Sequence, residues 1–224
     1  MLITLSQVFD QAKLENIREF LSRLKFADGK LSAGDNARKV KSNEELHAGR
    51  QQQDYLDQLI MSTLANNEDF RDAVLPLQVS QPVIARYKSG MSYGKHIDDP
   101  VMGAAGGKFR ADIALTIFLN APDEYTGGEL IIQTTFGEQQ IKLPAGDIVI
   151  YPASSIHRVT EVTSGERLVA VLWIQSMIRD PAKRELLYTL SRSRNQLMKE
   201  FPDHNATQQV DQVYVNLVRM WGEI

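Results

Sequence analysis

Residues 86–99 read RYKSGMSYGKHIDD, and the reading of the fold turns on whether His96 and Asp98 belong to a strand. Side chains two residues apart on an extended chain point to the same face, so this imidazole and this carboxylate would reach one metal ion together. Working outward, residues 77–175 fall into short runs rich in β-branched and aromatic residues. KSG, PDEYTGG, FGE, PAG and TSGE punctuate them. The runs predict strands over 78–87, 93–98, 112–119, 129–134, 138–143, 147–151, 156–162 and 167–175. So many short strands without intervening helices point to an antiparallel sandwich or barrel. The expectation is a mainly β chain with flanking helices, its centre a double-stranded β-helix (jelly roll).

The flanks read differently. Leu14, Ile17, Phe20, Leu21 and Leu24 recur at helical spacing, which predicts a helix over 6–26. A second is predicted over 43–64, with Tyr55, Leu56, Leu59, Ile60 and Leu64 on one face. The intervening DGKLSAGDNARKVKSN has the composition of an ordered loop. After the strands, Asp180 can cap a helix that Pro181 opens and Pro202 ends. Asn205 and Gln208 match a capping box for a last helix ending near Gly222. The expected organisation is a catalytic unit over 1–178, helical over 1–76 and a jelly roll over 77–178. A helical extension over 179–224 follows and docks on it.

Composition narrows the chemistry. Among 224 residues there is no cysteine, which removes disulfides, thiolate-held zinc, iron–sulfur clusters and a cysteine nucleophile. A metal would have to be held by carboxylates and by some of only 4 histidines. A formal charge of −3 gives no reason to expect nucleic acid or an anionic membrane as partner. The N-terminus lacks the basic and apolar regions of a signal peptide. The longest charge-free apolar stretch, 168–178, falls well short of the roughly 20 residues of a membrane span. A cytoplasmic protein is expected.

His157 lies in the seventh predicted strand, and His96 and Asp98 end the second. In an eight-stranded jelly roll those strands are neighbours, so two imidazoles and one carboxylate converge at one mouth. That set leaves part of a metal's coordination open and is the facial triad of non-haem Fe(II) oxygenases. Arg167 opens the eighth strand and could clamp a carboxylate through two parallel hydrogen bonds. Arg158 is its rival, but alternation turns it away from His157.

These residues resemble a known family. Tyr87, Gly90, Tyr93, His96 and Asp98 match the Y-x-x-G-x-x-Y-x-x-H-x-D segment of prolyl-4-hydroxylase-type Fe(II)/2-oxoglutarate dioxygenases. GGEL at 127–130, PAGDIVIYP at 144–152 and IHRVTEVTSGERLVAVLW at 156–173 look like that fold's central and closing strands. The 28–43 segment and the C-terminal helices resemble more narrowly the bacterial PKHD-type hydroxylases, the PiuC-like iron-uptake factors. The resemblance implies Fe(2+) held by His96, Asp98 and His157, with 2-oxoglutarate chelating it. Arg167 would take the distal carboxylate, with a hydrogen bond from Tyr87. It also implies O2, a small-molecule or peptide substrate of amino-acid type (free, peptidyl or siderophore-related), succinate and CO2 as co-products, and L-ascorbate as reductant.

Other features have plainer readings. Tyr93 reads as packing or as a ligand-facing ring, GAAGG at 103–107 as a flexible lip near the metal mouth, and Arg38, Lys39 and Lys41 as a solvated loop that could face substrate. His47 and His204 sit in polar contexts unsuited to ligation. The apolar stripes of the C-terminal helices read as docking surface, and the same pattern would serve a homo-oligomer contact. Two other functional classes share the fold: a cupin-like metalloenzyme without 2-oxoglutarate, and a non-catalytic jelly-roll binding or sensing module. Neither has a use for Arg167 beside an open His/Asp/His set.

Overall fold

Alternation of side chains along the strands builds the centre of the molecule, a computed structural model that describes residues 1–32, 34–103 and 106–223. In Ile113–Phe118 every residue is buried. Ile113, Leu115 and Ile117 face one core and Ala114 and Phe118 the other. Ile148–Pro152 divides in the same way, with Ile148 and Ile150 on one side and Val149 and Tyr151 on the other. A strand apolar on both faces must be covered twice. Here helices cover one face and a second sheet the other.

The larger sheet runs, in spatial order, Ile3–Leu5, Ile148–Pro152, Ile113–Phe118, Val162–Ser176, Val83–Lys88, Glu44–His47 and Lys25–Asp28. Tyr125–Gly127 and Pro76–Val79 add to Val162–Ser176. The smaller sheet runs Gly137–Ile141, Leu130–Thr134, His157–Val159, Ser92–His96 and Lys41–Ser42. All of these pairings are antiparallel. This two-sheet arrangement with flanking helices is the jelly roll that the sequence pattern points to, and the second and seventh predicted strands pair, with His157 opposite His96.

The first core lies between the larger sheet and three helices. Gln11–Ser22 contributes Leu14, Ile17 and Leu21, capped by Asp10. Arg50–Asn66 contributes Leu56, Ile60 and Leu64, and Glu68–Val74 contributes Phe70, Ala73 and Val74. The C-terminal helices Pro181–Glu200 and Asn205–Trp221 close a smaller cluster with Leu75, Ile178 and Leu187. Arg184, 4% exposed, donates to the carbonyls of Ile178 and Arg179 and ties the helix start to the end of the barrel.

Several expectations are corrected. The first 76 residues are not simply helical, because Ile3–Leu5, Lys25–Asp28, Lys41–Ser42 and Glu44–His47 are strands that extend both sheets. The helix expected over 43–64 begins only at Arg50, after a Gly49 cap. Residues 44–47 instead pair with Val83–Lys88 and Lys25–Asp28. An ion pair from Arg86 to Glu44 holds that edge, with the Arg86 guanidinium 3.8 Å from the Phe26 ring. Long-range pairing thus outweighs local helical periodicity here. The expected 78–87 strand is two strands, broken at Pro82, and the helix expected over 6–26 spans only Gln11–Ser22. His204, not Asn205, caps the last helix, its Nδ1 accepting from the Ala206 N–H at 3.1 Å. The GAAGG lip includes Ala104 and Ala105, which lie outside the described residues.

Candidate metal centre and its cavity

Ser92–His96 and His157–Val159 are neighbours in the smaller sheet, and their register brings the two histidines opposite one another. Their ring centroids are 4.2 Å apart at 53°. Asp98 Oδ1 lies 3.8 Å from His157 Nε2. One ligand atom from each of His96, Asp98 and His157 falls within 4.8 Å of the others.

The backbone orients both rings. His96 Nδ1 lies 2.8 Å from the Gly94 carbonyl, and His157 Nδ1 lies 3.0 Å from the Ser155 carbonyl. A carbonyl only accepts, so each Nδ1 carries the proton and each Nε2 keeps its lone pair for a ligand. Tyr93 stacks on His96 at 3.6 Å and 13°, fixing the ring from its other side.

The electrostatics fit a cation. Burial, with His157 nearby, pushes His96 down to about 4, so it is neutral across the physiological range. Burial pushes Asp98 upward, an effect that His157 and the Trp173 indole partly offset. Asp98 Oδ2 and Trp173 Nε1 are both buried without a hydrogen-bond partner: the indole faces the carboxylate but falls short of hydrogen-bond geometry. Two imidazole lone pairs beside a buried, unsatisfied carboxylate form a donor set suited to a divalent cation, with positions left open.

Arg167 occupies the other end of the same cavity. Along Val162–Ser176, residues 167, 169, 171 and 173 share the face turned to the space between the sheets. Arg167 is 2% exposed, its guanidinium 5.1 Å from the Tyr87 ring and 5.7 Å from the Phe118 ring. Tyr87 is its direct cross-strand partner. No carboxylate among the described residues pairs with Arg167, and its Nε has no hydrogen-bond partner. Glu129 acts on it only at a distance, and a buried cation without a contact partner is costly and calls for an anion. Tyr87, pushed up to about 12 chiefly by burial, stays protonated and can donate to that anion. Gly128 makes room: a Cβ there, at φ +69°, would lie 3.0 Å from Arg167 Cδ. That gives the GGEL segment a physical reason.

The cavity, about 210 Å³, joins the two ends. That is smaller than the roughly 300–1,000 Å³ of clefts for drug-sized ligands. Lys41, Asn43 and Glu45 form a further wall, in a stretch whose pattern predicts loop and helix. Of the expected basic cluster, Lys41 is buried while Arg38 and Lys39 are exposed. Arg158 points outward and pairs with Glu138 through two hydrogen bonds, so it has no part in the cavity. His47 and His204 stand apart from the triad. Sequence reasoning misses Trp173 and also Tyr125, whose hydroxyl is buried beside Arg167. The shared parity of 167 and 173 is the available signal for Trp173.

Comparison with known proteins gives the family. Residues 82–175 match the model of the 2OG-Fe(II) oxygenase superfamily, and residues 181–223 match the PKHD-type hydroxylase C-terminal domain. The chain is 48% identical to a PKHD-type hydroxylase of Thioalkalivibrio sulfidiphilus and 40% identical to one of Pseudomonas putida, each over the full length of both chains. Among solved structures it resembles a prolyl hydroxylase from Trichoplax adhaerens (TM-score 0.56, 16% identity, 85% of this chain and 86% of that one). It also resembles a collagen prolyl hydroxylase of Paramecium Bursaria Chlorella virus-1 (TM-score 0.55, 18% identity, 78% and 96%). These two likenesses speak for the jelly-roll fold. No helix among the described residues is long and apolar enough to cross a membrane.

Proposed function

The chain belongs to the PKHD-type hydroxylases of the 2OG-Fe(II) oxygenase superfamily, a family of Fe(II)- and 2-oxoglutarate-dependent hydroxylases, and from that premise we propose how its residues divide the work. His96, Asp98 and His157 hold the iron, and Arg167 with Tyr87 holds the distal carboxylate of 2-oxoglutarate. The substrate is of amino-acid type, free, peptidyl or siderophore-related, and L-ascorbate serves as the accompanying reductant. We also take residues 1–178 as the catalytic unit and 179–224 as an extension docked on it.

Held by His96, Asp98 and His157, the iron would, with 2-oxoglutarate and O2, supply the oxidising chemistry of a hydroxylation, with succinate and CO2 as co-products. The chain's own residues do the positioning. The Gly94 and Ser155 carbonyls set the tautomer and tilt of the two ligating rings. Trp173 presents an N–H toward Asp98 and favours its anion. Arg167 offers a planar fork of donors in a buried setting where a bidentate carboxylate contact is strong. Tyr87 keeps its proton and adds a donor beside that fork. The buried aromatic walls limit water around the reacting centre.

The observation that carries this reading is a buried, unpaired Arg167 in one cavity with an unsatisfied His/Asp/His set. Under anaerobic conditions, Fe(II) plus 2-oxoglutarate is expected to give the weak visible charge-transfer band of the chelate, and Asp98→Ala to abolish it. A folded protein that binds the metal but never shows the band would favour a cupin-like enzyme instead.

A further inference from the structure

The third wall of the cavity carries an ion pair with no task in the arrangement above. Lys41 is 7% exposed, and its ammonium pairs with Glu45, whose side chain is 15% exposed. Ser32 Oγ lies between them, accepting from Lys41 Nζ at 3.1 Å and donating to Glu45 Oε2 at 2.5 Å. Asn43, also buried on this wall, has an Oδ1 without a hydrogen-bond partner. Lys41 Nζ is 5.3 Å from the centre of the Tyr93 ring, which stacks on His96. The pair therefore stands one aromatic layer from the metal ligands, within the same cavity.

We propose that Lys41 and Glu45 form the subsite for the charged backbone of a free amino acid, Lys41 receiving its α-carboxylate and Glu45 its α-ammonium. The inference rests on the functional reading above and narrows its substrate class.

The argument is one of charge exchange. A buried ion pair is costly to break unless each partner finds another. A zwitterion offers both replacements at once, side by side, and carries no net charge into the cavity. A residue inside a peptide carries neither α-charge and would part the pair without repaying it. A simple anion would satisfy Lys41 and strand Glu45, whereas Arg167 already stands without a contact ion pair for the anionic co-substrate. Ser32 can follow either partner, because a hydroxyl both donates and accepts. Asp99 lines the same cavity and adds acceptor capacity for an ammonium.

The test uses the full-length protein as the anaerobic Fe(II)·2-oxoglutarate chelate. The twenty common L-amino acids are added free, and then as their N-acetyl amides. At least one free amino acid is expected to shift the chelate band and, with O2 admitted, to raise succinate release. Its blocked counterpart should require at least tenfold more. In Lys41→Gln and Glu45→Gln, half-saturation by that amino acid should rise tenfold or more while the band persists. Blocked forms acting as well as free ones, or a chelate that no amino acid perturbs, would overturn the proposal and leave the pair as a tether that holds Ser32 to the wall. Absence of the band itself would overturn both this proposal and the reading beneath it. The comparison of free with blocked amino acids on the unaltered protein does not depend on how the variants fold.

Discussion

The cavity holds two buried cations, one at its Arg167 end and one on its third wall, that differ in their partners. Arg167, buried between aromatic rings, has no carboxylate partner among the described residues, whereas Lys41 carries its own in Glu45. The first is a charge whose counter-ion must arrive from outside. The second is already satisfied and yields only to a ligand that replaces both partners. Burial alone does not separate the two cations, since both are more than nine-tenths buried. Pairing does.

The strongest challenge to that contrast is Arg167→Met. Losing one side of a desolvated charge contact costs about 2–5 kcal/mol, so the KM for 2-oxoglutarate should rise at least about thirtyfold while Fe(II) affinity changes by less than about threefold. Equal losses in both would make Arg167 a structural residue. On the third wall, Lys41→Met leaves the half-buried Glu45 without its cation. It should destabilise the chain by about 1–3 kcal/mol in urea unfolding, while Lys41→Met with Glu45→Leu recovers most of the loss. A double variant as unstable as the single would mean that packing, not charge, holds this wall.

At the His/Asp/His corner, Trp173→Phe removes the indole N–H facing Asp98. Fe(II) affinity should fall about tenfold, with little change in 2-oxoglutarate KM at saturating metal. The metal-free chain should also respond to pH. Folded His96 takes up a proton only near pH 4, whereas the unfolded chain takes one near 6.5. The unfolded state therefore binds more protons in that window, and stability falls as pH drops from 6.5 toward 4. Asp98, shifted upward, works in the opposite direction and reduces the net slope. His96→Leu should flatten or reverse the trend in thermal unfolding. The smallest effect belongs to Arg158→Ala, which removes an outward-facing partner of Glu138 and should leave both KM values within about twofold.

Much of the metal corner is legible in the sequence because its information is local. The expected 93–98 strand ends at His96, and Asp98 follows it outside the strand, yet the two side chains still meet; His157 falls on the neighbouring strand, and Arg167 and Arg158 differ by alternation. The jelly roll is legible for the same reason, strand runs separated by turn residues. The Lys41–Glu45 wall is not. Residues 44–47 precede a strongly helical run, and only pairing with Val83–Lys88 makes them a strand. Gly29 shows how nonlocal that wall is: a Cβ there would lie 2.0 Å from Asn43 Oδ1, a contact invisible to any pattern along the chain. Trp173 escapes because a tryptophan in a strand reads first as core.

The pairing of Ile3–Leu5 with Ile148–Pro152 sets an order of assembly during synthesis. Ile3–Leu5 must wait for a partner more than a hundred residues downstream, and Lys41–Ser42 must wait for Ser92–His96. His157 is translated long after its metal partners, and Arg167 later still. A nascent chain therefore cannot present the complete ligand set until most of its length has emerged. On the proposed assignment, iron capture would wait until the strands that wall the cavity have been made, and such long-range pairing is the kind that forms slowly.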